Sequence, residues 1–133
     1  MIVVDTNILV YFWLKGEWTP AAHRLLAVEP DWVVPVLWRS EFRNVLALAV
    51  KAQRYSLSDA IAFAEAAQQQ LTGRELEVES REVLRLTHQS RCSAYDCEFV
   101  ALAQRLSVPL VTNDQQVLKA FPSVAIGLDA YAP

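Results

Sequence analysis

Ile2-Val3-Val4-Asp5 is a run of three apolar, β-branched residues that stops on an acid. A stretch this short and this apolar reads as a strand buried on both faces. The same form returns at Pro109-Leu110-Val111-Thr112, two residues before Asp114. Trp32-Val33-Val34-Pro35-Val36 is a third such run, with Pro35 marking a strand end or edge. Residues 76–79 alternate as a short strand, and residues 124–128 supply a last one.

Helical patterns fill the intervals. Residues 7–14 are apolar and close near Gly16. Thr19-Pro20 predicts a helix start, with Thr19 as N-cap and Pro20 at the first helical position, running through residues 21–28. Over residues 38–54, Phe42, Val45, Leu46, Ala49 and Val50 recur at helical spacing. Ser56 caps an Ala-rich helix to about residue 70, ended by Gly73. Ser80-Arg81-Glu82 begins another. Ser93 and Asp96 have capping-box spacing ahead of a helix to Leu106, and Asp114 opens one that Pro122 stops. The order β-α-α-β-α-α-β-α-α-β-α-β predicts a three-layer α/β/α fold around a central, mostly parallel, short-stranded sheet. No linker, repeat or low-complexity stretch interrupts it, so a single domain over residues 1–133 is expected.

Composition narrows the chemistry. The 3 Gly stand far apart at 16, 73 and 127, which excludes the clustered glycines of a dinucleotide or phosphate loop. His23, His88, Cys92 and Cys97 have no zinc spacing, and no GxSxG elbow is present. His23 and His88 are expected to pack or to face solvent. Cys92 and Cys97 read as buried, reduced thiols. The longest charge-free stretches are 9 residues, against about 20 for a membrane span, so no membrane partner is expected. The N-terminus lacks the basic start of an export signal, and a cytoplasmic location is the expectation. What remains for catalysis is carboxylates, hydroxyls and amides, a donor set suited to Mg²⁺ or Mn²⁺.

Four acids then stand out by position. Asp5 follows the first strand. Glu41 lies in the first turn after the second, Asp96 in the first turn of the helix opened by Ser93, and Asp114 just past Thr112. In a parallel sheet the carboxyl ends of the strands share one edge, and ligands bind there at a reversal of strand order. Acids at helix starts are also stabilised by the helix dipole, by about 0.3–1 kcal/mol each, so each one alone reads equally well as a cap. Convergence of all four would raise their pKa values unless a divalent cation joined them.

The stretches VVDTNILV (3–10), PVLWRSEFRNVL (35–46), SAYDCEFVALAQRL (93–106) and PLVTNDQQVLKAFP (109–122) together resemble the PIN-domain nucleases. The resemblance is greatest to the toxin ribonucleases of bacterial and archaeal toxin–antitoxin pairs, the VapC type. It implies a PIN-like fold and a metal-dependent endoribonuclease that leaves 5′-phosphate and 3′-hydroxyl ends. It implies Mg²⁺ or Mn²⁺ held by Asp5, Glu41, Asp96 and Asp114, with Asn7 and Thr112 as polar supports. An RNA substrate, a cognate antitoxin and a homodimer follow as expected partners. Pro35-Val36 departs from the Ser or Thr that many members carry there. The alternatives are a PIN-like module that binds RNA or protein without cutting, and a flap-type DNA nuclease; the intact acids argue against the first and the absence of an arch extension against the second.

Net charge is −3, yet residues 38–54 carry Arg39, Arg43, Lys51 and Arg54 against Glu41 alone, a local +3. Arg39 and Arg43, flanking Glu41, are the candidate RNA-phosphate contacts. Trp13, Trp18, Trp32 and Trp38 read chiefly as packing residues. Phe12, Trp13 and Leu14, with the apolar helices at 42–50 and 57–67, are the expected partner surface.

Overall fold

A computed structural model describes residues 1–133 and joins the five apolar runs into one sheet. The strands are β1 (Ile2–Val4), β2 (Trp32–Pro35), β3 (Glu75–Leu76), β4 (Leu110–Val111) and β5 (Ala125–Ile126). Their spatial order is β3-β2-β1-β4-β5, and every neighbouring pair is parallel. β1 is central: Val3 pairs with Val33 of β2 on one side and with Leu110 of β4 on the other. Every residue of β1, β2 and β4 is buried, which is why these strands read as unbroken apolar runs.

Eight helices complete the order: α1 (Thr6–Trp13), α2 (Thr19–Val28), α3 (Trp38–Lys51), α4 (Leu57–Gln70), α5 (Ser80–Gln89), α6 (Ala94–Leu106), α7 (Gln115–Ala120) and α8 (Leu128–Tyr131). The chain moves outward from β1 to β2 to β3 through α1–α4, then returns past β1 to β4 through α5 and α6. Right-handed crossovers in opposite directions put these two helix groups on opposite faces. Accordingly α6 packs on β1, β2 and β4 with α5 outside it, while α1 packs against α2, α3 and α4. This is the three-layer α/β/α, PIN-like arrangement, and the reversal of direction falls between β1 and β4.

Several local expectations shift. Thr19 is the first residue of α2 and does not cap it; its hydroxyl accepts from the Gly16 N–H (3.0 Å) and donates to the Tyr11 carbonyl (2.7 Å), tying down the α1–α2 turn. Strand β3 spans only Glu75–Leu76, and the Glu77 carbonyl just beyond it accepts from Arg105 Nη1 at 2.7 Å. Helix α3 stops at Lys51, where Gln53 takes a left-handed φ of 58°. Helix α8 has no counterpart in the sequence reading, since four residues are too few to show a helical period.

The end of α1 also turns inward. Leu14 is buried, and the Phe12 ring packs edge-on against Trp32. Exposed apolar residues are spread over several elements, Val28 of α2 (68%) and Leu84 of α5 (63%) among them; three fall on the α3–α4 pair, Leu48 at 58%, Leu57 at 65% and Ile61 at 49%. No helix is long and apolar enough to cross a membrane.

Candidate active site: an acid-lined cavity where strand order reverses

Asp5 is placed by the sheet itself. Its N–H donates to the Val111 carbonyl (3.0 Å), extending the β1–β4 ladder by one residue, and its side chain then caps α1 by accepting from the Thr6 N–H (2.7 Å). The other oxygen, Oδ2, accepts from the Thr112 hydroxyl at 2.7 Å. Thr112 is fully buried and spends its whole capacity here: besides that donation, its Oγ1 accepts from Asn7 Nδ2 (3.1 Å) and from the Asp114 N–H (3.0 Å). Asn7 closes the other end, its Oδ1 accepting from the Asn113 N–H (3.3 Å). The strand ends β1 and β4 are therefore stitched together by Asn7 and Thr112 directly behind Asp5.

The remaining acids arrive from three helices. Asp114 caps α7, with Oδ1 accepting from the Gln116 (2.9 Å) and Val117 (3.2 Å) N–H groups. Asp96 closes the Ser93 capping box at the start of α6. Glu41 lies in the first turn of α3, and its Oε1 accepts from the Thr6 hydroxyl at 2.7 Å. All four acids line one cavity of about 410 Å³, together with Thr6, Asn7, Val10, Tyr11, Asn44 and Val45. The capping reading and the convergence reading thus hold at once.

The electrostatics follow from burial and like charge. Asp5 is only 8% exposed. Burial pushes its pKa from 3.8 up to about 7, against the opposing pull of the Thr112 and Thr6 hydrogen bonds, with Glu41 and Asp96 adding repulsion. Glu41 is raised for the same first reason, burial, with Asp96 and Glu98 adding to it and the Thr6 bond holding it down. No Lys, Arg or His lines the cavity.

These residues fit a divalent cation by donor chemistry: hard carboxylate oxygens crowded in one cavity with no basic side chain to balance them. Hydrogen bonds engage Oε1 of Glu41, Oδ2 of Asp96 and Oδ1 of Asp114, leaving the second oxygen of each uncommitted. The acids share a cavity and not a point: no three of them form a ready-made ligand set.

Arg39 and Arg43 do not join the acids. Residues two apart on a helix diverge by about 200°, so both leave the Glu41 face of α3. Arg39 is forked onto Glu75 of β3, with Nε to Oε1 at 2.6 Å and Nη2 to Oε2 at 2.8 Å. Arg43 is exposed. Glu98 lies outside the acid-lined cavity, on a separate groove that Val78 and Leu84 also line. His23 packs on Phe12, and His88 is exposed. Both cysteines are free and buried. The four tryptophans pack or bond within the protein; Trp38 and Trp32 are almost fully buried.

Sequence reasoning passed over Thr6, Tyr11, Asn44 and Asn113. Asn44 and Tyr11 were findable: each stands one helical turn beyond a site residue, Asn44 after Glu41 and Tyr11 after Asn7. Asn113, whose Oδ1 accepts from the Leu128 N–H (3.0 Å), ties the site loop to a helix that left no sequence signal.

An all-parallel α/β/α sheet with a carboxylate-lined cavity at its reversal point defines the class: a three-layer fold with an acidic cleft and no phosphate-binding loop. The family model for the PIN domain matches residues 2–124, and the chain belongs to that family, whose members are generally nucleases that use divalent metals. Solved structures share the fold. PAE2754 from Pyrobaculum aerophilum superposes with a TM-score of 0.77 at 21% identity, over 96% of this chain and 90% of that one. FitAcB from Neisseria gonorrhoeae gives 0.72 at 19%, over 96% and 98%. A toxin–antitoxin complex from Klebsiella pneumoniae gives 0.69 at 16%, over 96% and 98%. A search of curated protein sequences finds no match.

The raised Asp5 value sets the sign of a pH dependence. Between 3.8 and about 7 the folded chain keeps a proton that the unfolded chain has lost, so stability falls as pH rises through that window. In EDTA the melting temperature is expected to drop from pH 5 to pH 8. Asp5→Asn should flatten the drop, and Mn²⁺ should raise the wild-type value at pH 8. An equally steep fall in the variant contradicts the assignment.

Proposed function

We propose that the chain is an endoribonuclease dependent on Mg²⁺ or Mn²⁺, and the toxin of a toxin–antitoxin pair. The observation that carries the catalytic part is the meeting of Asp5, Glu41, Asp96 and Asp114, from four separate elements, in one cavity without a balancing cation. Membership of the PIN family and the four sequence blocks like those of toxin ribonucleases support it.

Asp5, Glu41, Asp96 and Asp114 would hold the ion, which when bound activates water and offsets the charge that develops at phosphorus and on the leaving oxygen. Asn7 and Thr112 hold the Asp5 carboxylate in place. Tyr11 and Asn44, uncharged donors on the cavity wall, would be available to an entering phosphodiester, since Thr6 and Asn7 are engaged within the site. The Tyr11 phenol, like any tyrosine, is a protonated donor at neutral pH, and burial moves it further in that direction. RNA cleavage is expected only with Mg²⁺ or Mn²⁺, and Asp5→Asn or Asp96→Asn should slow it by ~100-fold or more. Cleavage that persists in EDTA, or full activity in both variants, overturns this mechanism.

Arg43 is the proposed phosphate contact outside the cavity, since Arg39 is committed to Glu75. Arg43→Ala should weaken RNA binding at every sequence and lower its salt slope by about one unit. An unchanged slope removes Arg43 from the interface.

The proposed partners are a second copy and a cognate antitoxin. The solved toxin–antitoxin complex with this fold supports an antitoxin, and exposed Leu48, Leu57 and Ile61 supply apolar surface for a partner. Co-expression with the product of a small open reading frame found beside its gene should yield a complex that no longer cuts RNA. Leu57→Lys with Ile61→Lys should release the activity; a complex that survives both changes puts the antitoxin elsewhere.

A further inference from the structure

We infer that Thr6 is the positioning residue for Glu41, and that through it the first strand controls how the α3 carboxylate reaches the metal site. The proposal rests on the metal-site reading above and adds a role for a residue between two of the acids. Thr6 is 6% exposed and touches both. Its N–H donates to Asp5 Oδ1 and its hydroxyl to Glu41 Oε1, each at 2.7 Å.

Each of the other acids has a backbone anchor, whatever side chains assist it. Asp5, Asp96 and Asp114 have short side chains held by backbone N–H groups at the helix starts that they cap. Glu41 is different. It sits inside the first turn of α3, accepts no backbone hydrogen bond, and has one more rotatable bond than an aspartate. Asp96 and Glu98 both repel it. Left alone, it would swing towards solvent. The Thr6 hydroxyl is free to hold it because Thr6 is the first residue of α1, where no preceding helical carbonyl competes for a threonine hydroxyl. With Oε1 so held, Oε2 remains for an ion. Thr6 does not touch the reacting atoms in this role; it acts through Glu41.

The test is Mn²⁺ binding to the full chain, read from the electron paramagnetic resonance signal of free Mn²⁺, which needs no RNA and no turnover. Thr6→Ser and Thr6→Ala lose the same methyl and differ only in the hydroxyl. Ser is expected to bind Mn²⁺ within about twofold of wild type and Ala about tenfold more weakly, as for one lost hydrogen bond to a charged group. Thr6→Val, which keeps the side-chain shape and loses only the hydroxyl, should bind Mn²⁺ as weakly as Ala and replaces it as the test should Ala fold poorly. In a Glu41→Gln background, Thr6→Ala should cost nothing further. Equal affinity for the Ser and Ala variants overturns the proposal, as does a loss that multiplies undiminished with Glu41→Gln. A wild type that binds no Mn²⁺ overturns the metal-site reading itself, and Thr6's role with it.

Discussion

The structure depends on keeping a carboxylate buried at the centre of a sheet. Asp5 is one residue beyond the central strand, beside two other acids and almost fully buried at the floor of the cavity. A buried charge with like charges near it is among the costlier arrangements in a protein. Much of the surrounding design reduces that cost. The Thr6 N–H and the Thr112 hydroxyl donate to it directly, and Asn7 locks Thr112 in turn. These bonds lower the penalty without removing it, so Asp5 stays far from its ordinary pKa. A site tuned for stability alone would have placed an arginine there; this one leaves the charge open.

Helix starts are the means by which the fold gathers like charges. Each N-terminus offers free N–H groups and a partial positive charge. Asp5, Asp96 and Asp114 sit at three such ends, and a parallel sheet aims those ends at a single edge. The same residues therefore serve as caps and as the wall of the cleft, and the two roles reinforce one another. Glu41 is the exception: no backbone N–H holds it, and a side chain from another element is its sole hydrogen-bond partner.

The elements that carry the site were legible because their signals are local. Three apolar runs flanking acids mark β1, β2 and β4, and the capping boxes at Ser56 and Ser93 mark α4 and α6. The basic stretch around Arg39 gives charge but not direction. α3 turns Arg39 towards Glu75, a residue 36 positions away, and the pair closes over β2 and β3 with Trp38 donating to the same carboxylate. Likewise Phe12 and Trp13 look like surplus surface in a list of residues, but α1 is gripped between α2, α3 and α4. Thr6 went unnoticed beside Asp5 because a threonine at a helix start is ordinary.

By itself the sequence determined the alternation of buried strands and capped helices, and with it the α/β class. It also determined that chemistry would fall to oxygen donors, since Gly, His and Cys are too few and too scattered for other sites. Tertiary structure alone decided which acids meet. Asp5 and Asp114 are 109 positions apart, and they adjoin because β4 pairs with β1 and not with β3. That pairing follows from the chain crossing back to the opposite face through α5 and α6, a choice made by long-range packing. It is also what allows Thr112 to reach Asp5, while Glu41 reaches Thr6 through the β1–β2 pairing and the packing of α3 on α1. Periodicity and capping are encoded within a few residues, whereas the contacts of this site span most of the chain and exist only once the sheet has closed.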